Sequence, residues 1–178
     1  MWLTMCRTVA SSGISGYREA MERVQSPWAF QVSLRLGEHG WSELDLWIER
    51  THHQFCLTHV FNSPLEEIAA ALEALTRGAA DIEFTLHEEP GQHVWRITRV
   101  EEARHLLEVS IQSYQTNFDT SDPCAVIEFR AHRDFFKETL LSELDKIAGQ
   151  LSFKGFAENR NAGDFPWAAW RRLRTSGE

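Results

Sequence analysis

The stretch from Gln54 to Val100 constrains this chain more than any other, because capping chemistry, hydrophobic period and turn residues agree along its length. Within it, Asn62-Ser63-Pro64-Leu65-Glu66 opens a helix that closes at Arg77-Gly78. Ser63 can cap the helix, Pro64 suits a first helical position whose N–H would have no intrahelical partner, and Glu66 completes a capping box. Leu65, Ile68, Ala69, Leu72 and Leu75 recur at helical spacing as one apolar stripe, and Glu66, Glu67, Glu73 and Arg77 lie away from it. Gly78 ends the helix in the left-handed conformation that glycine enters cheaply. Two alternating segments follow, joined by Glu89-Pro90-Gly91-Gln92. With Pro90 and Gly91 at the tip, Glu88 faces His93, Leu86 faces Trp95 and Phe84 faces Ile97, while Thr85 and Arg96 point the other way.

The flanking segments extend this plan. Trp28, Phe30, Val32, Leu34 and Leu36 alternate with polar or small residues as a half-buried strand requires, and Gly37 to Gly40 supplies a turn. Leu44, Leu46 and Ile48 continue the apolar row on a second strand. Phe55, Leu57 and Phe61, with His59 between the last two, continue it on a third. Further on, Leu107, Val109 and Ile111 form a strand, Tyr114 to Pro123 a longer polar loop, and Ala125, Ile127 and Phe129 the last strand. A second helix starts near Asp134 and carries Phe136, Leu140, Leu144, Ile147 and Leu151 on one side. Each half is a run of antiparallel strands and then a helix, with too little side-chain identity to require duplication. The pattern predicts a two-layer α+β domain, a mostly antiparallel sheet of about seven strands packed on two main helices.

A single domain over residues 27–152 accommodates all of this, and 178 residues with 43% hydrophobic content suffice for its core. Residues 1–26, with Ser11-Ser12-Gly13 and Ser15-Gly16, read as a loosely ordered arm with room for a short helix over 17–24. Met21 is an alternative start. Residues 153–178 read as an irregular tail anchored on the domain by Phe165, Trp167 and Trp170.

Charge and cysteine usage narrow the function classes. Asp and Glu number 26 against 18 Lys and Arg, a net charge of −8, which disfavours nucleic acid or an anionic membrane as partner and favours a basic one. Acidity also serves plain solubility. Cys6, Cys56 and Cys124 are odd in number and widely spaced, so neither a disulfide framework nor a zinc ribbon is expected. No apolar run is long enough to cross a bilayer, and no secretion signal is evident, so a cytoplasmic, reducing location is expected.

Two clusters invite chemistry. His52, His53, Cys56 and His59 are zinc-ligand types, but on a strand His53 and His59 share a face with Phe55 and Leu57 between them, and Cys56 points to the other face. Turn histidines and an inert thiol are the simpler reading. His87 and His93, beside Glu88 and Glu89, could act as acid and base, yet at a hairpin tip they read as a solvated turn. No nucleophile elbow, P-loop, dinucleotide fingerprint or metalloprotease helix is present. No cofactor, metal site or catalytic residue is expected.

The second strand offers more. With Leu44, Leu46 and Ile48 inward, Glu43, Asp45, Trp47 and Glu49 point outward, a large aromatic among three carboxylates. Such a face suits a basic protein partner, since the ring supplies apolar burial and the charges steer encounter. Glu83, Glu108 and Glu128 could extend it. The competing reading has the tail covering Trp47, with Arg171, Arg172 and Arg174 on those same acids. The aromatic and arginine mixture of that tail is also found in nucleic-acid contacts, but no recognised module accompanies it.

The run Ser63-Pro64-Leu65-Glu66-Glu67-Ile68, then Ala71-Leu72-Glu73-Ala74-Leu75, Gly78, Glu89-Pro90-Gly91 and a Trp95 strand resembles small bacterial α+β proteins of the kind that accompany polymorphic toxins as immunity proteins. It covers roughly the middle third of the chain and carries no functional residue across. The resemblance implies a non-catalytic module that occludes a basic toxin domain. A small enzyme or ligand-binding domain with a pocket between sheet and helices is the alternative, and an accessory subunit of a larger assembly is a third.

Overall fold

The computed structural model of the chain describes residues 26–37, 40–158 and 165–175. Apart from Ser26, the expected arm, with its short helix and the alternative start at Met21, lies outside the described residues. Among the described residues the chain forms β1 (Phe30–Leu36), β2 (Ser42–Ile48), β3 (Thr51–Leu57), α1 (Pro64–Thr76), β4 (Asp81–His87), β5 (Gln92–Arg99), β6 (Leu106–Tyr114), β7 (Ala125–His132), α2 (Arg133–Leu151), α3 (Lys154–Glu158) and α4 (Trp167–Thr175).

The class is α+β and the strand ladders are antiparallel, but the strands divide into two sheets, β1-β2-β3 and β4-β5-β6-β7, instead of one of about seven. The division falls where the chain leaves β3 at Leu57 to enter α1. No ladder joins β3 to β4; just past β3, the Thr58 N–H donates to the His87 carbonyl at the end of β4 (2.8 Å).

Period-two alternation explains the inner faces. In the first sheet Leu34 pairs with Leu44, which pairs with Phe55, and all three are buried. In the second, Phe84, Trp95 and Ile111 form one row across β4, β5 and β6. Both rows join the apolar sides of α1 and α2 in one continuous core. Phe30 of β1 sits where the two sheets meet, with its ring 5.6 Å from Phe129 of β7 and 5.5 Å from Phe136 of α2. On the other side, Phe55 of β3 reaches Trp95 at 6.3 Å.

The helices follow their sequence signals. Ser63 Oγ accepts the Glu66 N–H (3.4 Å), Pro64 opens α1, and Gly78 takes a φ of 86° just beyond it. The expected stripe of α1 is buried, as are Phe136, Leu140, Leu144 and Ile147 of α2. From α2, Glu143 accepts the Leu34 N–H of the edge strand β1 (2.6 Å) and is paired with Lys146. An edge N–H is thereby removed from pairing with another chain.

Four expectations need correction. The β4–β5 turn spans four residues, Glu88 to Gly91, with a cis Glu89–Pro90 peptide and Glu88 N–H bonded to the Gly91 carbonyl (2.8 Å). Leu86 therefore pairs with His93 and Phe84 with Trp95; a shift of two residues keeps each side chain on its expected face but changes its neighbour. Trp28 does not start the inward row of β1. It precedes the strand, is 55% exposed and stacks on His132 (4.4 Å), because the chain turns there through an Ala29 N–H to Ser26 bond. Phe61 lies beyond β3 in the loop and is exposed. The tail is helical where described, since Ala168, Ala169, Arg171, Arg172, Leu173 and Arg174 are strong helix formers and Trp170 and Leu173 share a helical face.

Candidate functional site

The antiparallel register places Glu43, Asp45 and Trp47 on the outward face of β2, the central strand of the first sheet. Their cross-strand neighbours are Arg35, Ser33 and Gln31 on β1 and Cys56, Gln54 and His52 on β3. Glu49 is separated from this face. It stands in the turn after β2 at a φ of 55°, and its N–H donates to the Ala29 carbonyl (2.7 Å).

Asp45 is the hub of the face. It is only 5% exposed, and Arg35 Nη2 donates to one of its oxygens (3.0 Å) while His52 Nε2 meets the other (2.7 Å). A carboxylate can only accept, so Nε2 carries the proton in that bond. Arg35 Nη2 also reaches Glu43 Oε2 (2.7 Å). Held by Asp45, the His52 ring lies flat against Trp47, with centroids 4.6 Å apart and planes 10° from parallel. The result is a pre-positioned aromatic pair on a buried carboxylate. Glu43 is half exposed beside it.

Arg35 and His52 are the members that sequence reasoning missed. A signal for both was present: Arg35 has the outward parity of β1, and the short turn after β2 brings His52 opposite Trp47. Because Arg35 lies on two of the acids, the face is less negative than the β2 residues alone suggest. The outward acids of the second sheet are matched likewise, Glu83 by Arg96 (2.7 Å) and Glu108 by Arg130 (2.6 Å), whereas Glu128 is exposed.

The tail does not cover Trp47 among the described residues. Arg172 pairs with Glu73 of α1 (2.6 Å), Arg174 with Asp145 of α2 (3.2 Å), and Trp170 Nε1 donates to Asp145 (2.7 Å). The Arg172 hydrogen bond holds the Glu73 carboxyl below the ordinary range. Phe165 and Leu173 are buried beneath, whereas Trp167 remains partly exposed.

The histidines scatter as strand geometry requires. His52 faces out, His53 faces in opposite Leu46, and His59 Nδ1 meets the Gly40 carbonyl (3.0 Å). Cys56 is disulfide-bonded and thus not the inert thiol expected, while Cys124 is free and exposed. Among the described residues no three His, Cys, Asp or Glu side chains gather as a metal site. Burial first, and then the neighbouring His52, push the His53 pKa below the ordinary 6.5. The unfolded chain therefore binds this proton more readily, so the contribution to stability is full above pH 6.5 and is lost as the pH falls from there toward the lower folded value. Thermal unfolding scanned downward from pH 6.5 should show a falling Tm, and His53→Gln should flatten part of that slope. An unaltered slope would rule out His53 as its source.

The β4–β5 hairpin end is not the solvated turn expected. His93 is 8% exposed, with Nδ1 2.9 Å from Ser113 Oγ and Nε2 2.8 Å from Glu88 Oε2. The order hydroxyl, imidazole, carboxylate is that of an activated nucleophile. Ser113, however, is itself buried, and a reacting carbonyl must come within about 3–3.5 Å of a nucleophile. The three side chains instead fasten the turn to β6. A cleft lies elsewhere, between Trp41, His59 and the start of α1, and encloses about 10 Å³. That is room for about one water, against several hundred Å³ for a typical small-molecule site.

Among the described residues no helix is long and apolar enough to cross a membrane. Comparison of the chain with protein-family models, curated proteins and solved structures gave no match.

Proposed function

We propose that this chain is a non-catalytic protein-binding module of immunity type, which neutralises a basic partner by occluding it with the outward face of β2. The observation that carries this reading is Trp47, laid flat on His52 over the buried Asp45. Ordering before binding lowers the entropy lost on association, and an aromatic of this kind is the usual energetic centre of an interface. A basic side chain of the partner can compete with Arg35 for the half-exposed Glu43.

The test begins with recovery of the native protein and its partners at low and then high salt. With that partner in hand, Trp47→Ala should weaken binding by about 30-fold, mostly through faster dissociation. Glu43→Lys should slow association and reduce its salt dependence, with Tm close to the parent for both variants. Unchanged affinity in both would remove β2 as the docking face.

A further inference from the structure

The loops at one end of the two sheets share an unusual composition. Residues 58–63 follow β3, 88–91 join β4 to β5, and 115–124 join β6 to β7. Together they contain four carboxylates, Glu88, Glu89, Asp119 and Asp122, and no lysine or arginine. They also carry three exposed apolar side chains: Val60 at 64%, Phe61 at 48% and Phe118 at 92% exposure.

Hydrogen bonds and ring contacts make these loops one surface. The Phe61 ring lies 5.0 Å from that of His87, whose Nδ1 meets Asn117 Oδ1 at 2.6 Å. Asn117 Nδ2 in turn donates to the Glu88 and Pro90 carbonyls (3.0 and 2.9 Å). Thr58 Oγ1 donates to Glu89 Oε1 (3.3 Å) and accepts the Val60 N–H (3.2 Å). Thr116 Oγ1 accepts the N–H groups of Phe118 and Asp119 (3.0 and 3.1 Å), so the backbone beneath Phe118 is held while its ring stands in water. Asp119 accepts two bonds from Ser121, which keep its carboxyl below the ordinary range and therefore charged at neutral pH.

Phe61 stands half in water and Phe118 almost wholly so, and covering such rings against a partner is favourable. An exposed apolar patch on a fixed frame, rimmed by charge of one sign, has the form of an interaction surface. We propose that this loop end is a second docking surface, fitted to a basic protein segment that presents apolar anchors to Phe61 and Phe118 and lysines or arginines to the carboxylate rim. The choice of occupant rests on charge complementarity, which repels anionic lipid and nucleic acid alike. It deepens the reading of the chain as a binder of basic proteins, and it lies apart from Trp47.

The test titrates isotope-labelled full-length protein with a short synthetic peptide bearing two leucines four residues apart among lysines, and with the same peptide carrying glutamates for the lysines. The lysine peptide should produce saturable amide shifts at Val60, Phe61, Asn117 and Phe118, weakened by salt, and the glutamate peptide none. Phe118→Ser, at a residue that supports no core contact, should weaken binding by about tenfold with the fold intact. Phe61→Ser should do the same, while Trp47→Ala should leave these shifts in place. Absent saturation, equal binding of the glutamate peptide, or indifference to Phe118→Ser overturns the proposal and leaves the native-partner test of Trp47 unaffected. Shifts confined to β2 would also overturn it, and would support the face around Trp47.

Discussion

Trp95→Ala should lower the unfolding free energy by about 3–5 kcal/mol, as expected when a large buried aromatic is emptied. Trp95 is 2% exposed, stacks on Phe84 of the neighbouring strand at 5.6 Å and touches Phe55 of the other sheet. The cavity would therefore open at the junction of the two sheets, where neither sheet alone can collapse into it. Trp95→Phe makes a sharper comparison. Trp95 Nε1 is buried without a hydrogen-bond partner among the described residues, and an unmet buried donor costs about 1–3 kcal/mol. Phenylalanine keeps a ring and removes that donor, so its loss should be well below that of alanine. Urea unfolding followed by circular dichroism reads both. Equal losses for the two variants would contradict this account of the site.

Gly91→Ala should cost about 3 kcal/mol, near the upper end for overpacking. A Cβ at this position would stand 2.4 Å from the Tyr114 carbonyl oxygen, and that obstacle is backbone, which cannot swing aside. The turn would have to lift from β6, with strain on the His93 bonds to Ser113 and Glu88 and on the Asn117 bonds to the Glu88 and Pro90 carbonyls. Gly149→Ala, where a Cβ would meet nothing within 4 Å, is the control and should be neutral or stabilising in its helix. Chemical denaturation of the pair settles the point; a neutral Gly91→Ala would mean that the turn tolerates displacement.

Much of the architecture was legible because it is locally encoded. Ser63, Pro64 and Gly78 act on the backbone within one turn of themselves, and the alternation of Val32, Leu34, Leu44 and Leu46 needs only a strand and one wet face. The division into two sheets was not legible, because whether β3 and β4 form a ladder depends on how α1 seats on the core. Pro90 marks the place of the turn but not its span, because period-two patterns are blind to a shift of two. The helix of the tail is hidden in the sequence by its aromatic and Gly-rich surroundings, and only the spacing of Trp170 and Leu173 signals it.

The candidate face divides in the same way. Glu43, Asp45 and Trp47 share a face because parity along one strand puts them there, and parity can be read without a structure. Arg35 and His52 belong to neighbouring strands, so their arrival on Asp45 depends on register between strands. Glu49 lies in the turn because a two-residue connection needs a positive φ there, although the local sequence offers no glycine.

The bond from the Thr58 N–H to the His87 carbonyl gives the molecule a built-in clock. Between two strands of one ladder, an amide is released only when its neighbours are released too. This one bridges separate ladders, so its hydrogen-exchange lifetime reports the parting of the two sheets as well as the opening of either one. Thr58 also touches the acidic loop end through Glu89, so a partner seated there would register as a slower tick at this one amide.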